Sequence, residues 1–380
     1  MTSLLHRRSS STCVRYCLLP VCCLAVFAIT AESTHGQFID QKNDVAPQQN
    51  YNISFYDPIG QEFVPLFNRV NLVQMRVGDA GSDIGPGSDL RVSIRENTIG
   101  GAVLGVSNNT FMPDGFAGYL NFSFPSSVNL TPRGKYVIEV QKLTDVPGTG
   151  SFMLTAFNGD SYAPGSAVRS GVVMPTSDFL FREGVTDLSQ PLSIAPKVYN
   201  NVINGAILGT PPFDAPFIYQ NATQQDRAMI EYDLSQFHAS DFSSAILAGT
   251  VFNNNSLDTG VRNIRIEFYA GDGVISTSDF SALATMLGDV AFHPPGELNV
   301  GFSFDITSQL KALLDTNATH LGVRFRPLND QAASVLATMQ LPLLTLAVPE
   351  PSSFVMSACG LVAIAALARR RPREAKQATA

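Results

Sequence analysis

The sequence predicts an all-β chain: two tandem β-sandwich domains of jelly-roll-like type, with an N-terminal signal peptide and a C-terminal transmembrane helix. Three observations lead there. Apolar and polar residues alternate in short runs separated by Gly-, Pro- and Ser-rich stretches, the pattern of strands half-buried in antiparallel sheets. The 380 residues include 29 Gly, 23 Pro and 25 Phe, a supply of turn formers and large core side chains. All five cysteines, Cys13, Cys17, Cys22, Cys23 and Cys359, fall in the terminal segments. The body between them therefore has no disulfide framework, Cys-ligated zinc site or cysteine nucleophile, and its stability rests on burying apolar faces.

The first sandwich is expected over residues 48–185. It opens with a short strand at Gln61-Glu62-Phe63-Val64-Pro65, followed by Val70 to Val77, in which Val70 and Leu72 share a face. After the turn-rich Gly81 to Asp89, Leu90, Val92 and Ile94 alternate strictly with Arg91, Ser93 and Arg95. Tyr119 to Phe124 repeats the pattern with Leu120, Phe122 and Phe124. Leu130-Thr131-Pro132-Arg133-Gly134 turns the chain into Lys135 to Gln141, and Ser151 to Ala156 and Asp178 to Arg182 supply further strands. No convincing helix intervenes, which favours a sandwich.

Between Gly184 and Pro196 the alternation lapses, and 186–196 reads as a linker to a second sandwich over 197–347. That half has strands at Arg227 to Phe237, Ala245 to Phe252 and Arg262 to Tyr269. A short helix is expected at Ser308 to Leu314, capped by Thr307 or Ser308. Asp272 to Asp279 matches the back half of a calcium loop, but Phe268 and Ala270 stand where its first carboxylates belong. The alternative there is a turn at Gly271-Asp272-Gly273 followed by a helix through Met286, capped by Ser278 or Asp279. Asp79, Asp83 and Asp89 are likewise expected to bond their own turn backbone.

The terminal segments address the chain. Arg7, Arg8 and Arg15 precede the apolar run Leu18 to Ile29, and small residues follow, so residues 1–36 read as a signal peptide cleaved after Ala31 or Gly36. At the other end, Val348-Pro349-Glu350-Pro351 precedes an uncharged run, Phe354 to Ala368, and then Arg369, Arg370, Arg371 and Arg373. The prolines fix an extended segment, and the arginines are a cytoplasmic stop-transfer signal behind a helix over 352–368. Fifteen uncharged residues fall short of the ~20 that span a bilayer core. That suits a segment held briefly and then removed; a lasting anchor is the alternative.

This order of motif, short helix and basic tail, over 348–373, resembles the PEP-CTERM sorting signal of Gram-negative bacteria. The resemblance implies export through the secretion translocon, contact with membrane lipid, and recognition of Pro349-Glu350-Pro351 by exosortase. In the second half, Tyr232-Asp233-Leu234-Ser235 before Ala245 to Phe252, and Phe304-Asp305-Ile306-Thr307, resemble bacterial surface β-sandwiches related to carbohydrate-binding modules. The family's tryptophan-bearing motif is missing, since the chain has no Trp.

Charge and residue usage bound the function. Without the terminal segments the body holds 17 basic against 29 acidic side chains, a formal balance of −12, which repels nucleic acid. Its three histidines, His238, His293 and His320, form no zinc-binding pair, and no Gly-x-Ser-x-Gly elbow is present. The seven Asn-x-Ser/Thr sequons read as chance products of polar loops. No catalytic residue, metal or cofactor emerges. The expectation is a non-enzymatic surface or matrix protein, with extracellular polysaccharide as a candidate partner. If sugar binds, Tyr51, Tyr56, Tyr162, Tyr199 and Tyr219 are the candidate stacking platforms. A glycan-binding adhesion module and, further off, a secreted glycoside hydrolase remain the alternatives.

Overall fold

The computed structural model describes residues 37–348, apart from 80–86, 144–150, 208–215, 221–222, 254–261, 293–298 and 329–334. The expected signal peptide, Pro349, Glu350, Pro351, the 352–368 segment and the arginines at 369–371 and 373 lie outside the described residues, as do Asp83 and His293. Among the described residues no helix is long and apolar enough to cross a membrane.

The body is all-β, with a single helix, Thr307–Asp315, among the described residues. In the first half, alternation builds two seven-stranded sheets whose strands pair only antiparallel. One runs Phe38–Asn43, Phe181–Val185, Arg69–Asp79, Phe152–Asn158, Ser177–Phe179, with Gln49–Asn52 and Ala117–Asn129 added at its sides. The other runs Val172–Met174, Ala167–Arg169, Ile59–Phe63, Tyr136–Lys142, Ser88–Glu96, Val103–Val106, with Thr110–Met112 beside Ser88–Glu96. Leu90, Val92 and Ile94 bury completely, and Phe63, Phe122, Phe152, Phe179 and Phe181 fill the space between the sheets. Each such side chain contributes roughly 1.5–3 kcal/mol by leaving water.

Two expectations change here. The first strand begins at Phe38, ten residues before the expected boundary at 48, and Phe38 itself is buried. In Arg69–Asp79 the expected Val70/Leu72 face does not persist: the register against Ala117–Asn129 jumps from Val70–Val128 to Leu72–Ser123. This bulge inverts the phase, so Val73, Met75 and Val77 face the core beyond it.

The second half is one continuous twelve-stranded sheet folded over itself rather than two separate layers. The ladder turns at Ser244–Asn253. Its first half pairs with Leu343–Ala347, and its last residues pair with Val335–Met339, which continues to Phe217–Gln220 and the opposite layer. The switch occurs at Gly249, where a Cβ would stand 2.8 Å from Pro342 and 2.9 Å from Phe302. Tyr232 is buried in the shared core and donates its hydroxyl hydrogen to Pro342 O at 2.7 Å.

The stretch expected as a linker is built into the fold. Leu192–Ile194 pairs with Leu343–Ala347, while Asn68 N donates to Ser193 O and Ala195 N to Leu66 O, at 2.9 and 2.8 Å. Leu188, Leu192 and Ile194 are buried with Phe38 and Phe67 in the core of the second half. The two halves therefore share apolar packing.

The helix expected from Ser278 to Met286 is absent. Residues 277–281 form turns, and Thr285–Phe292 is a strand paired with Arg262–Gly271. Arg324, nearly buried, ties this segment down by donating to the carbonyls of Asp279, Phe280 and Ala282 at 2.9, 2.9 and 3.3 Å, while Glu267 pairs with its other side at 2.6 Å. The helix at Thr307–Asp315 is present, but neither Thr307 nor Ser308 caps it. The Asp305 carboxylate instead accepts the Thr307 N–H at 2.9 Å.

Candidate functional site

A concavity of about 810 Å³ lies between the two halves, within the size range of ligand sites. A bulge places its central acid. Phe38–Asn43 pairs with Phe181–Val185, and the register skips between Ile39 and Gln41, so Asp40 leaves the ladder and turns toward the cavity. Gly184 allows this close approach, because a Cβ there would strike the carbonyl of Phe38.

Asp40 is firmly held. Its Oδ2 accepts the N–H groups of Leu66 and Phe67, both at 2.7 Å, and Oδ1 accepts the Gln41 amide at 3.0 Å. Burial, only partly offset by these bonds, pushes its pKa from 3.8 up to about 6. Glu183, paired with Gln41 in the next strand, is fully buried, and its oxygens make no hydrogen bond in the structure. Burial first, and then the charge of Asp40, push Glu183 well above the usual carboxylate range. Tyr162 completes this wall: its hydroxyl accepts the Val64 N–H at 3.1 Å and donates to Gln41 Oε1 at 3.3 Å, and burial raises its pKa.

The opposite wall comes from the segment after Gln225–Asp233. The Gln236 side chain accepts the Ile39 N–H through Oε1 at 2.6 Å and donates to the Ile39 carbonyl. Phe237 stacks on Phe38 with ring centroids 5.1 Å apart, and Ser235 is exposed at the rim. The charges at the rim are engaged: Lys197 pairs with Asp233 at 2.7 Å, Arg182 with Asp44 at 2.8 Å, and Arg133 donates to Pro196 O at 2.7 Å.

This arrangement suits recognition better than hydrolysis. Glycoside cleavage uses two carboxyl groups that both reach the substrate, whereas Glu183 is fully buried. Asp40 is also committed to two main-chain donors. The cavity's exposed lining is polar, with Lys42, Ser235 and Gln236.

The residues singled out from sequence are scattered. Of the five tyrosines, only Tyr162 lines the cavity; Tyr51, Tyr56, Tyr199 and Tyr219 are half-buried elsewhere, Tyr199 beneath the Arg133 guanidinium at 4.9 Å. Asp272 and Asp279 each bond their own turn: Asp272 Oδ1 accepts Val274 N at 3.0 Å, and Asp279 Oδ2 accepts Ser276 N at 2.6 Å. Among the described residues no group of three or more His, Cys, Asp or Glu is placed to hold a metal ion. His238 is exposed beside Asp241 at 3.3 Å, and His320 Nδ1 meets Thr319 Oγ1 at 3.0 Å. Val348 packs at the edge of the second core. Sequence reasoning does not single out Asp40, Gln236 or Phe237, and Asp40 carries no local signal, since it opens the polar stretch Asp40-Gln41-Lys42-Asn43-Asp44.

No protein-family model and no curated protein matches the chain. Solved structures similar to it include the tandem CBM22-1–CBM22-2 domains of Paenibacillus barcinonensis Xyn10C, at 7% identity and TM-score 0.25, covering 83% of this chain and 100% of that one. The M60 catalytic domain with two CBM51 domains from Clostridium perfringens ZmpB matches at 9% identity and TM-score 0.20, over 82% of this chain and 39% of that one. PNGase F, a glycosylasparaginase from Flavobacterium meningosepticum, matches at 10% identity and TM-score 0.21, over 82% and 94%. At these scores none of them assigns the chain a family or a ligand.

Proposed function

We propose that this chain is an exported, non-enzymatic protein of the cell surface or extracellular matrix that holds extracellular polysaccharide in the cavity between its halves. The observation that carries this reading is the state of the acidic pair. Glu183 is fully buried and Asp40 is spent on the N–H groups of Leu66 and Phe67, while Lys42, Ser235 and Gln236 leave polar surface exposed to a sugar at the cavity. Affinity electrophoresis of the full chain through soluble polysaccharides tests it. Retardation is expected, and Ser235→Trp, which fills the rim, should reduce it. Equal retardation of that variant would sink the cavity as the site.

The sorting step belongs to the same proposal. Passage through the secretion translocon, brief residence in membrane lipid and recognition by exosortase are supported by the order of Val348-Pro349-Glu350-Pro351, the uncharged run, and Arg369, Arg370, Arg371 and Arg373. The motif follows directly on Leu343–Ala347, whose last carbonyl accepts both Ser243 N and Ser243 Oγ, at 2.8 and 3.1 Å. Glu350→Ala is expected to leave export intact but trap the protein at the membrane. Normal release of that variant, read from the mass of the mature C-terminus, would show that the motif goes unread.

A further inference from the structure

We infer that the far end of the first half carries a second polysaccharide contact, a basic aromatic platform that takes uronate rings of an acidic chain. The inference rests on the glycan-binding reading above but uses different residues. Its frame is the turn after Gln49–Asn52. Asn52 Oδ1 accepts the Phe55 N–H at 2.9 Å, Tyr56 N donates to Asn52 O at 3.1 Å, and Ile53, 1% exposed, roots the turn in the core. Phe55 at the tip is 75% exposed. An exposed Phe forgoes roughly 1.5–3 kcal/mol of burial, so packing does not account for it on so firmly held a turn.

Phe55 is not isolated. Its ring lies 4.8 Å from Tyr56, and Tyr56 lies 5.5 Å from Tyr51, both pairs nearly perpendicular. The Arg169 guanidinium covers Tyr51 at 4.1 Å. On the other side of the turn is a groove of about 330 Å³, walled by Ser54 and Asp57 of the turn and by Arg91, Gln141 and Lys142. Arg91 is oriented by Gln141, whose Oε1 accepts its Nη2 at 2.7 Å and its Nε at 3.3 Å.

Charge sets the ligand class. Arg91 and Lys142 line the groove with one acid, Asp57, and Arg169 covers Tyr51, in a body whose formal balance is −12. A uronate ring presents a C–H face that stacks on an aromatic and a carboxylate that a guanidinium binds. Three cations in so acidic a body fall short of what phosphate chains need for tight binding.

The test uses the full chain in mild detergent, run through gels containing alginate, polygalacturonate or neutral laminarin. Non-specific charge would repel this acidic protein from the uronate gels, so retardation there reports a site. In the Ser235→Trp background, retardation by alginate or polygalacturonate is expected. It should fall about 10-fold on Phe55→Ala or Arg91→Gln, recover with Phe55→Tyr, and weaken in 0.5 M salt. Phe55 is exposed, so an unchanged melting temperature will show that the Ala variant folds. Uronate retardation of the Ser235→Trp protein that is untouched by Phe55→Ala and Arg91→Gln overturns the platform. Silence of the Ser235→Trp protein while the wild-type chain is retarded also overturns it, and leaves the cavity reading standing. Silence of the wild-type chain in all three gels overturns both.

Discussion

In the first half of the molecule, among the described residues, no backbone ladder passes from one sheet to the other, and side chains such as Phe122 and Phe181 interleave between them. In the second half the ladder itself travels round the core, because Ser244–Asn253 gives its start to one partner and its end to another. The two halves have the same alternation and the same freedom from cysteine. What separates them is where a strand is interrupted. The break at Gln340–Pro342 releases the chain from Ser244–Asn253 beside Gly249 and lets main-chain hydrogen bonds continue into the next layer.

Four measurements probe this contrast. Phe181→Ala removes a ring from this core of interleaved side chains and should cost about 3–5 kcal/mol in urea denaturation. Because Phe38 and Phe67 of the first half pack into the second core, both halves are expected to melt in one transition. A second transition left unmoved by the mutation would show that they are independent. Gly249→Val should cost about 1–3 kcal/mol through contact with Pro342 and Phe302, with faster amide exchange in Ser244–Asn253 and Val335–Met339. Unchanged stability would mean that the ladder does not depend on that close approach.

The third is a pH effect at the joint. Burial raises Asp40 from 3.8 to about 6, so the folded state holds this proton more tightly than the unfolded chain does. The resulting stability is full below pH 4 and is lost as pH rises through 6; Glu183 shifts in the same direction. Going from pH 8 to pH 5 should therefore raise stability by about 1–3 kcal/mol, and Asp40→Asn, which keeps an acceptor for Leu66 and Phe67, should flatten that rise. An equally steep rise in the variant would remove Asp40 from the account. The smallest effect expected is Tyr232→Phe, about 1 kcal/mol, from loss of the bond to Pro342 O. A loss above ~3 kcal/mol would give that one bond a larger share in the closure than the ladder.

Strand interiors were legible because period-two burial is a local property: Leu90, Val92 and Ile94 bury as their alternation requires. Phase across a bulge was not, since Val70 and Val73 face one core only because Ala117–Asn129 slips beside them. Ser278 and Asp279 carry a helix-capping signal, yet the same chemistry closes a turn, and Arg324, 45 residues after Asp279, decides between the two. The cavity was hidden for a related reason. Asp40 lies ahead of the expected domain boundary, and its partners Leu66 and Phe67 are brought to it by sheet pairing and core packing. Phe55 reads as one more core phenylalanine among 25 until the turn is seen to hold it outward.

Leu343–Ala347 lies between Leu192–Ile194 and Ser244–Asn253, an interior place in its sheet. During synthesis from the N-terminus, the first half has every strand in hand once Val185 emerges, whereas the second must wait for Ala347. Until then Leu344 and Leu346 are missing from its core, and the edge of Ser244–Asn253 stays unpaired, a sticky surface for neighbouring nascent chains.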